Sequence, residues 1–226
     1  MISIDVFMSL GDRSRHELIK NEFPITAFAI SMRSLVCGVG SNDAPYVTMP
    51  TIDSVKVKDP CYVSWKNMMQ RCYDHNILSV RKTYRGCAVA NEWLSFSSFM
   101  LWWENNQVDG WQIDKDILTQ GNKIYSELNC VFVPAVINSF ITDSKAKRGN
   151  HPIGVHWRER SGKFRAQCCN PLSGRQETLG LFDDQDSANM AWAERKLELV
   201  PLICEKFSQM DDRVAPALIN RFKGML

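Results

Sequence analysis

The chain has few of the features that place a protein at once. Its eight cysteines include no Cys-x-x-Cys pair and its four histidines are scattered, so the ligand spacing of a zinc finger is absent. No apolar run approaches the roughly 20 residues that a helix needs to cross a bilayer, and no secretory leader opens the sequence. The expectation is a cytoplasmic protein with reduced thiols, used as small core residues, and no membrane partner. A net charge of only +2 removes any argument about partners from overall charge. With 226 residues, 45% of them hydrophobic and 23% charged, the chain is no disordered tail and suits more than one small core.

What the sequence does have is concentrated late in the chain. Between Lys145 and Arg175 stand Lys145, Lys147, Arg148, Arg158, Arg160, Lys163, Arg165 and Arg175 against a single acid, Glu159, a local balance of +7. Such a concentration is the electrostatic footprint of a surface for phosphate backbone. The same stretch has strand periodicity. IGVHWR, KFRAQCC and RQETLGLF are separated by turns at Arg160-Ser161-Gly162 and Pro171 to Gly174. Because strand side chains alternate, Val155, Trp157, Phe164, Ala166 and Cys168 fall on one face. His156, Arg158, Lys163, Arg165 and Gln167 fall on the other, and Gln176 and Thr178 continue that row beside a buried Leu179. Asp183 then reads as the N-cap of a helix with Asp186 in its first turn and Ala188, Ala191, Trp192, Arg195 and Leu199 at helical spacing.

The order GVHW, SGKFRAQ, LGLFDD and an alanine-rich helix resembles the ethylene-response-factor (Apetala-two) DNA-binding domain, which also occurs in phage proteins and integrase arms. The resemblance covers residues 153–199. It implies a three-stranded antiparallel sheet on one helix, with the polar face of the sheet in a major groove. By position it implies contacts from His156, Arg158, Lys163, Arg165, Gln167, Gln176 and Thr178. Cys169 and Thr178 stand where plant members often have arginine and tryptophan.

Upstream, the first 58 residues contain no motif. FPITAFAISMRSLVCGVG reads as a strand pair or hairpin, and 42–58, with Pro45 and Pro50, as a connection. From Cys61, SWKNMMQRCY puts Trp65, Met68, Met69 and Cys72 on one helical face, leaving Lys66 and Arg71 nearer water. A loop over 74–85 follows. Ser95 is then a plausible N-cap for FSSFMLWWEN, whose Phe96, Phe99, Met100 and Trp103 form a second buried stripe.

Residues 110–138 read as a strand ending at Asp114, a loop through Gly121 and Asn122, a strand around Cys130 to Val133 and a helix starting near Pro134. With the two helical segments before it, this resembles phage HNH-type endonucleases. Their strand–loop–strand–helix unit holds one divalent metal. A histidine ends the first strand and activates water, an adjacent aspartate and a later Asn or His bind the metal, and a middle asparagine secures the loop. The resemblance implies Asp114 and Asn138 as metal ligands and Asn129, with Asn122, as loop residues. Lys115 stands at the histidine position. A lysine starts near a pKa of about 10.4, too high for a general base at neutral pH, so Lys115 suits gripping phosphate better, with Asp116 left as the possible base beside a magnesium-bound water.

Together these readings give an α+β protein: an N-terminal segment of unassigned role (1–58), an HNH-like ββα module with a helical lead-in (59–142), a basic linker (143–152), a DNA-reading sheet and helix (153–200) and a C-terminal helical segment (201–226) interrupted at Pro216. The expected activity is binding of double-stranded DNA by a phage protein, with no cofactor required and the HNH-like module silent. One alternative is a magnesium-dependent homing-type endonuclease. Another is a host-takeover protein that binds a host protein through residues 1–58 in the host cytoplasm.

Overall fold

A computed structural model describes residues 3–142 and 150–226, which divide into two compact units. Of these described residues, the first holds 3–116 and 121–132, and the second 117–120, 133–142 and 150–226.

In the first unit, α1 (Ile4–Ser9), α2 (Asp12–Glu22) and α3 (Ala27–Ser31) are followed by the short hairpin β1 (Thr51–Ile52) and β2 (Val55–Lys56). Of the strand pair or hairpin read from FPITAFAISMRSLVCGVG, an isolated antiparallel bridge between Val36 and Gly40 is present, while the start of the stretch forms α3, which Thr26 caps by accepting from the Ala29 amide. Nor are residues 1–58 a separate appendage. Phe7, Ile19, Ala44 and Tyr46 lie in the same core as Trp65, Met68, Phe96 and Trp103.

Helix α4 (Pro60–Tyr73) starts where Asp59 caps the Cys61 amide and Pro60 fills the first turn, where its missing N–H has no consequence. It buries the predicted face of Trp65, Met68, Met69 and Cys72. Asp74 ends α4 and also caps α5 (His75–Val80), so the segment read as a loop contains a short helix. Helix α6 (Phe96–Asn106) is capped by Ser95 as expected and buries Phe96, Phe99, Met100, Trp102 and Trp103. Strands β3 (Ala88–Val89) and β5 (Ile124–Tyr125) pair in parallel, and β4 (Gln112–Asp114) pairs with β6 (Val131–Val133).

In the second unit, α7 (Ala135–Ile141) precedes the antiparallel sheet of β7 (Val155–Arg158), β8 (Lys163–Asn170) and β9 (Arg175–Phe182). The sheet packs on α8 (Gln185–Lys206), burying Val155, Ala166 and Ala188 with Phe164, Leu179, Phe182 and Ala191 against them. The cap of α8 is Asp184, one residue beyond the expected Asp183; it accepts from the Ser187 amide at 2.7 Å and the Ser187 hydroxyl at 2.8 Å. Pro201 lies inside α8 rather than ending it. Its missing N–H falls on the exposed side of the helix, while Leu199, Val200 and Ile203 hold the other side in the core. Pro216 likewise sits in the first turn of α9 (Val214–Lys223), where the ring is tolerated. Phe222 of α9 packs edge-on against Phe140 and Trp192, so the C-terminal helix completes this core.

Two local features set the geometry of the sheet. Gly154 has φ +80°, and a Cβ there would lie 2.1 Å from Trp192 Cδ1, so only glycine permits the approach of β7 to α8. In β9 the register shifts between Ala166 and Gln167 of the neighbouring strand: Gln167 faces Thr178 and Ala166 faces Gly180, leaving Leu179 as an extra residue. This bulge reverses the alternation beyond it, turning Phe182 toward the core beside Phe164 and leaving Leu181 exposed.

Candidate nucleic-acid interface

Register places the predicted polar row on one face. His156 lies opposite Arg165, and Arg158 opposite Lys163. Gln167 lies opposite Thr178, with Gln167 Nε2 3.4 Å from Thr178 Oγ1, and Gln176 lies opposite Cys169. Directly opposed residues of an antiparallel pair share a face, so these side chains form one surface. His156, Arg158, Gln176 and Thr178 are exposed, while Lys163, Arg165 and Gln167 are half-buried. Arg160 is exposed in the β7–β8 turn. Arg175, paired with Asn170, falls on the opposite alternation to Gln176 at the far end of the sheet, so these two arginines flank the row rather than join it. Lys145, Lys147 and Arg148 lie outside the described residues.

Among the described residues, no carboxylate pairs with Arg158, Arg160, Arg165 or Arg175. Lys163 meets Asp183 at 2.9 Å, an exposed pair of the kind that contributes at most about 1 kcal/mol and leaves the ammonium available to a phosphate. The acid of the sheet is held elsewhere. Glu177, opposite Cys168, receives Arg195 Nε at 2.8 Å and Asn170 Nδ2 at 2.8 Å, and these hydrogen bonds hold its carboxyl below the usual range. The basic row is thus kept clear of it.

The segment from Asp114 to Asn138 has a different character. Lys115 is buried, 6% exposed; its ammonium donates to the Asn122 carbonyl at 2.8 Å and to Asp116 at 3.1 Å. Asn122 returns a bond from Nδ2 to the Lys115 carbonyl at 2.6 Å and donates to the Ile124 carbonyl at 2.8 Å. Asn129 Nδ2 lies 3.4 Å from Asn122 Oδ1. Lys115, Asn122 and Asn129 thus fasten one loop. The Asp114 carboxylate accepts the Asp116 amide at 2.8 Å. Asp114 Oδ1 is engaged with a backbone N–H and Asp116 with the Lys115 amino group, and among the described residues no three His, Cys, Asp or Glu side chains converge. Asp114 falls in the first unit and Asn138, on α7, in the second.

The sequence did not flag three polar groupings. His16 is buried between Asp59 and Glu104, Lys196 is buried against Phe140, and Arg71 lines a cleft with Arg81. Asp59 had a visible signal, the Asp-Pro pair that opens α4. Lys196 had none, being one charged residue among many in α8.

Five of the eight cysteines, Cys61, Cys72, Cys87, Cys130 and Cys168, are buried and Cys169 is exposed. Burial pushes the Cys72 and Cys130 thiols up to about 12, far from the range of a reactive thiolate. Among the described residues, no helix is long and apolar enough to cross a membrane. Comparison with family models, with curated proteins and with solved structures found no match to this chain.

Proposed function

We propose that the protein binds double-stranded DNA through the exposed face of β7, β8 and β9. The observation that carries the reading is the single surface made by His156, Arg158, Lys163, Arg165, Gln167, Gln176 and Thr178, in which the arginines have no carboxylate partner among the described residues. Guanidinium groups on such a face bond guanine edges bidentately, amides match adenine, and the flanking Arg160 and Arg175 are placed for phosphates. The sheet on a single helix supports the Apetala-two resemblance, and the phage setting belongs to the same reading.

The segment before it is proposed as a degenerate HNH-like scaffold. The order β4, a loop that contains the short β5, β6 and α7 supports that resemblance, and the use of Lys115 to fasten the loop supports its silence. Binding then needs no cofactor. The rival, a magnesium-dependent endonuclease, requires Asp114 to take a metal beside the Asp116 amide it now accepts.

Duplex binding followed as a function of salt tests the first reading. Affinity should fall steeply as salt rises, and Arg158→Ala with Arg165→Ala should cost about 1–3 kcal/mol for each lost base contact. Unchanged affinity in the double variant would remove the sheet from the account.

A second reading has its own observation. Phe28, Met32 and Leu35 are exposed at 74%, 70% and 55%, which favours a protein partner for residues 1–58. Replacing all three by serine leaves duplex binding unchanged and abolishes any such association, measured by pull-down from a host extract. Undiminished capture by the serine variant would set this reading aside.

A further inference from the structure

We propose that the cleft between α4 and α5 is a second phosphate-binding site and that its ligand is a nucleic-acid backbone. The cleft, of about 450 Å³, is lined by Asn67, Gln70 and Arg71 from α4 and by Asn76, Val80 and Arg81 from α5 and its end. It belongs wholly to the first unit and uses no residue of the sheet.

Its polar lining is three amides and two guanidinium groups, with no carboxylate. Arg71 is held in place from behind. Its guanidinium lies over the Tyr84 ring, 5.5 Å from the centroid. Among the described residues, no carboxylate pairs with Arg71 or Arg81. A half-buried, prepositioned guanidinium without an anion presents the planar donor fork that matches two phosphate oxygens. The amides of Asn67, Gln70 and Asn76 can donate to the remaining oxygens, and Val80 offers an apolar wall to a sugar.

The surroundings favour a polyanion over a small free anion. Lys66, Arg71, Arg81, Lys82 and Arg85 stand in residues 66–85 against one acid, Asp74. That acid is occupied in capping α5, its Oδ1 accepting the Asn76 amide at 2.9 Å and the Ile77 amide at 3.2 Å. The cleft is open, and exposed cations continue past it through Lys82 and Arg85. Such a row suits successive phosphates.

The test uses the full chain labelled with nitrogen-15 and two probes, inorganic phosphate and a short DNA duplex. The duplex should shift the amide resonances of Gln70, Asn76 and Arg81, and it should still do so in the Arg158→Ala, Arg165→Ala variant. Arg81→Gln, a change at an exposed position, should lower the slope of log affinity against log salt by about one, whatever the duplex sequence. Resonances that stay fixed with duplex, or that move with inorganic phosphate alone, would overturn the proposal. The outcome also separates this site from the sheet: weakened binding in Arg81→Gln with normal binding in the sheet variant leaves the cleft standing and sinks the sheet, and the reverse pattern sinks the cleft.

Discussion

His16 Nδ1 lies 2.8 Å from Asp59 Oδ1, with neither side chain exposed, while His16 Nε2 lies 2.9 Å from Glu104 Oε1. Burial alone would lower the imidazole pKa; the Asp59 and Glu104 contacts outweigh it and raise the pKa above 6.5. Below this raised pKa the ring is an imidazolium that donates to both carboxylates, joining α2 to the start of α4 and to α6. Because the folded pKa is raised, the stabilisation is fully present below about pH 6.5 and is lost as pH rises through the folded value. Urea unfolding across pH 5 to 9 should show this loss. His16→Gln should remove the slope and cost about 3–5 kcal/mol, since Asp59 remains as a buried charge without its cation. A variant that kept the wild-type slope would assign it to another group.

Gly154→Ala should destabilise the second unit by more than about 2 kcal/mol. A left-handed φ costs about 1–2 kcal/mol for alanine, and the new methyl meets the Trp192 indole. Thermal unfolding followed by tryptophan fluorescence reads the loss directly. A change below about 0.5 kcal/mol would mean that β7 and α8 can separate freely.

Lys196 in the second unit should give a pH dependence of opposite sign. Its ammonium is buried, donates to the Phe140 carbonyl at 2.7 Å and lies 3.8 Å from the Phe140 ring centroid. Burial lowers its pKa to about 8, from 10.5. A depressed folded value means that the unfolded chain binds more protons between these two limits, so stability rises with pH across that window. Lys196→Met, close in volume, should flatten this rise in the second unit. A rise that persists in the variant would exclude Lys196 as its source.

Wild-type protein should leave supercoiled plasmid intact in magnesium or manganese, because the Lys115 amino group is taken up by the Asn122 carbonyl and the Asp116 carboxylate. Metal-dependent nicks that disappear in Asp114→Asn would establish the nuclease reading instead. Lys115→Met should also loosen the loop, costing about 1–3 kcal/mol for the Asn122 carbonyl left unpaired.

The elements that could be read from the sequence are those whose pattern is one of apolar spacing. Trp65, Met68, Met69 and Cys72 on α4, and Phe96, Phe99, Met100 and Trp103 on α6, announce their buried faces, and the period of two shows the polar row from His156 to Thr178. Helix α2 does not announce itself. DRSRHELIKNE is polar nearly all round, and one of its two buried residues is His16, whose place in the core depends on acids 43 and 88 residues away. Pro201 misleads for a related reason: a local rule ends the helix there, and the burial of Leu199, Val200 and Ile203 carries it through. Arg71 and Arg81 are ten residues apart on different elements, so no spacing in the sequence joins them in one cleft.

The extra residue in β9 has a chemical consequence for the face it reshapes. By bringing Leu181 out opposite Arg165, it places an isobutyl group, 41% exposed, within a row otherwise made of cations and amides. In a major groove the apolar feature available to such a group is the 5-methyl of thymine. A strand without the insertion would have presented position 180 there. If the sheet reads DNA as proposed, the insertion supplies an apolar contact for the thymine methyl that cytosine and uracil lack.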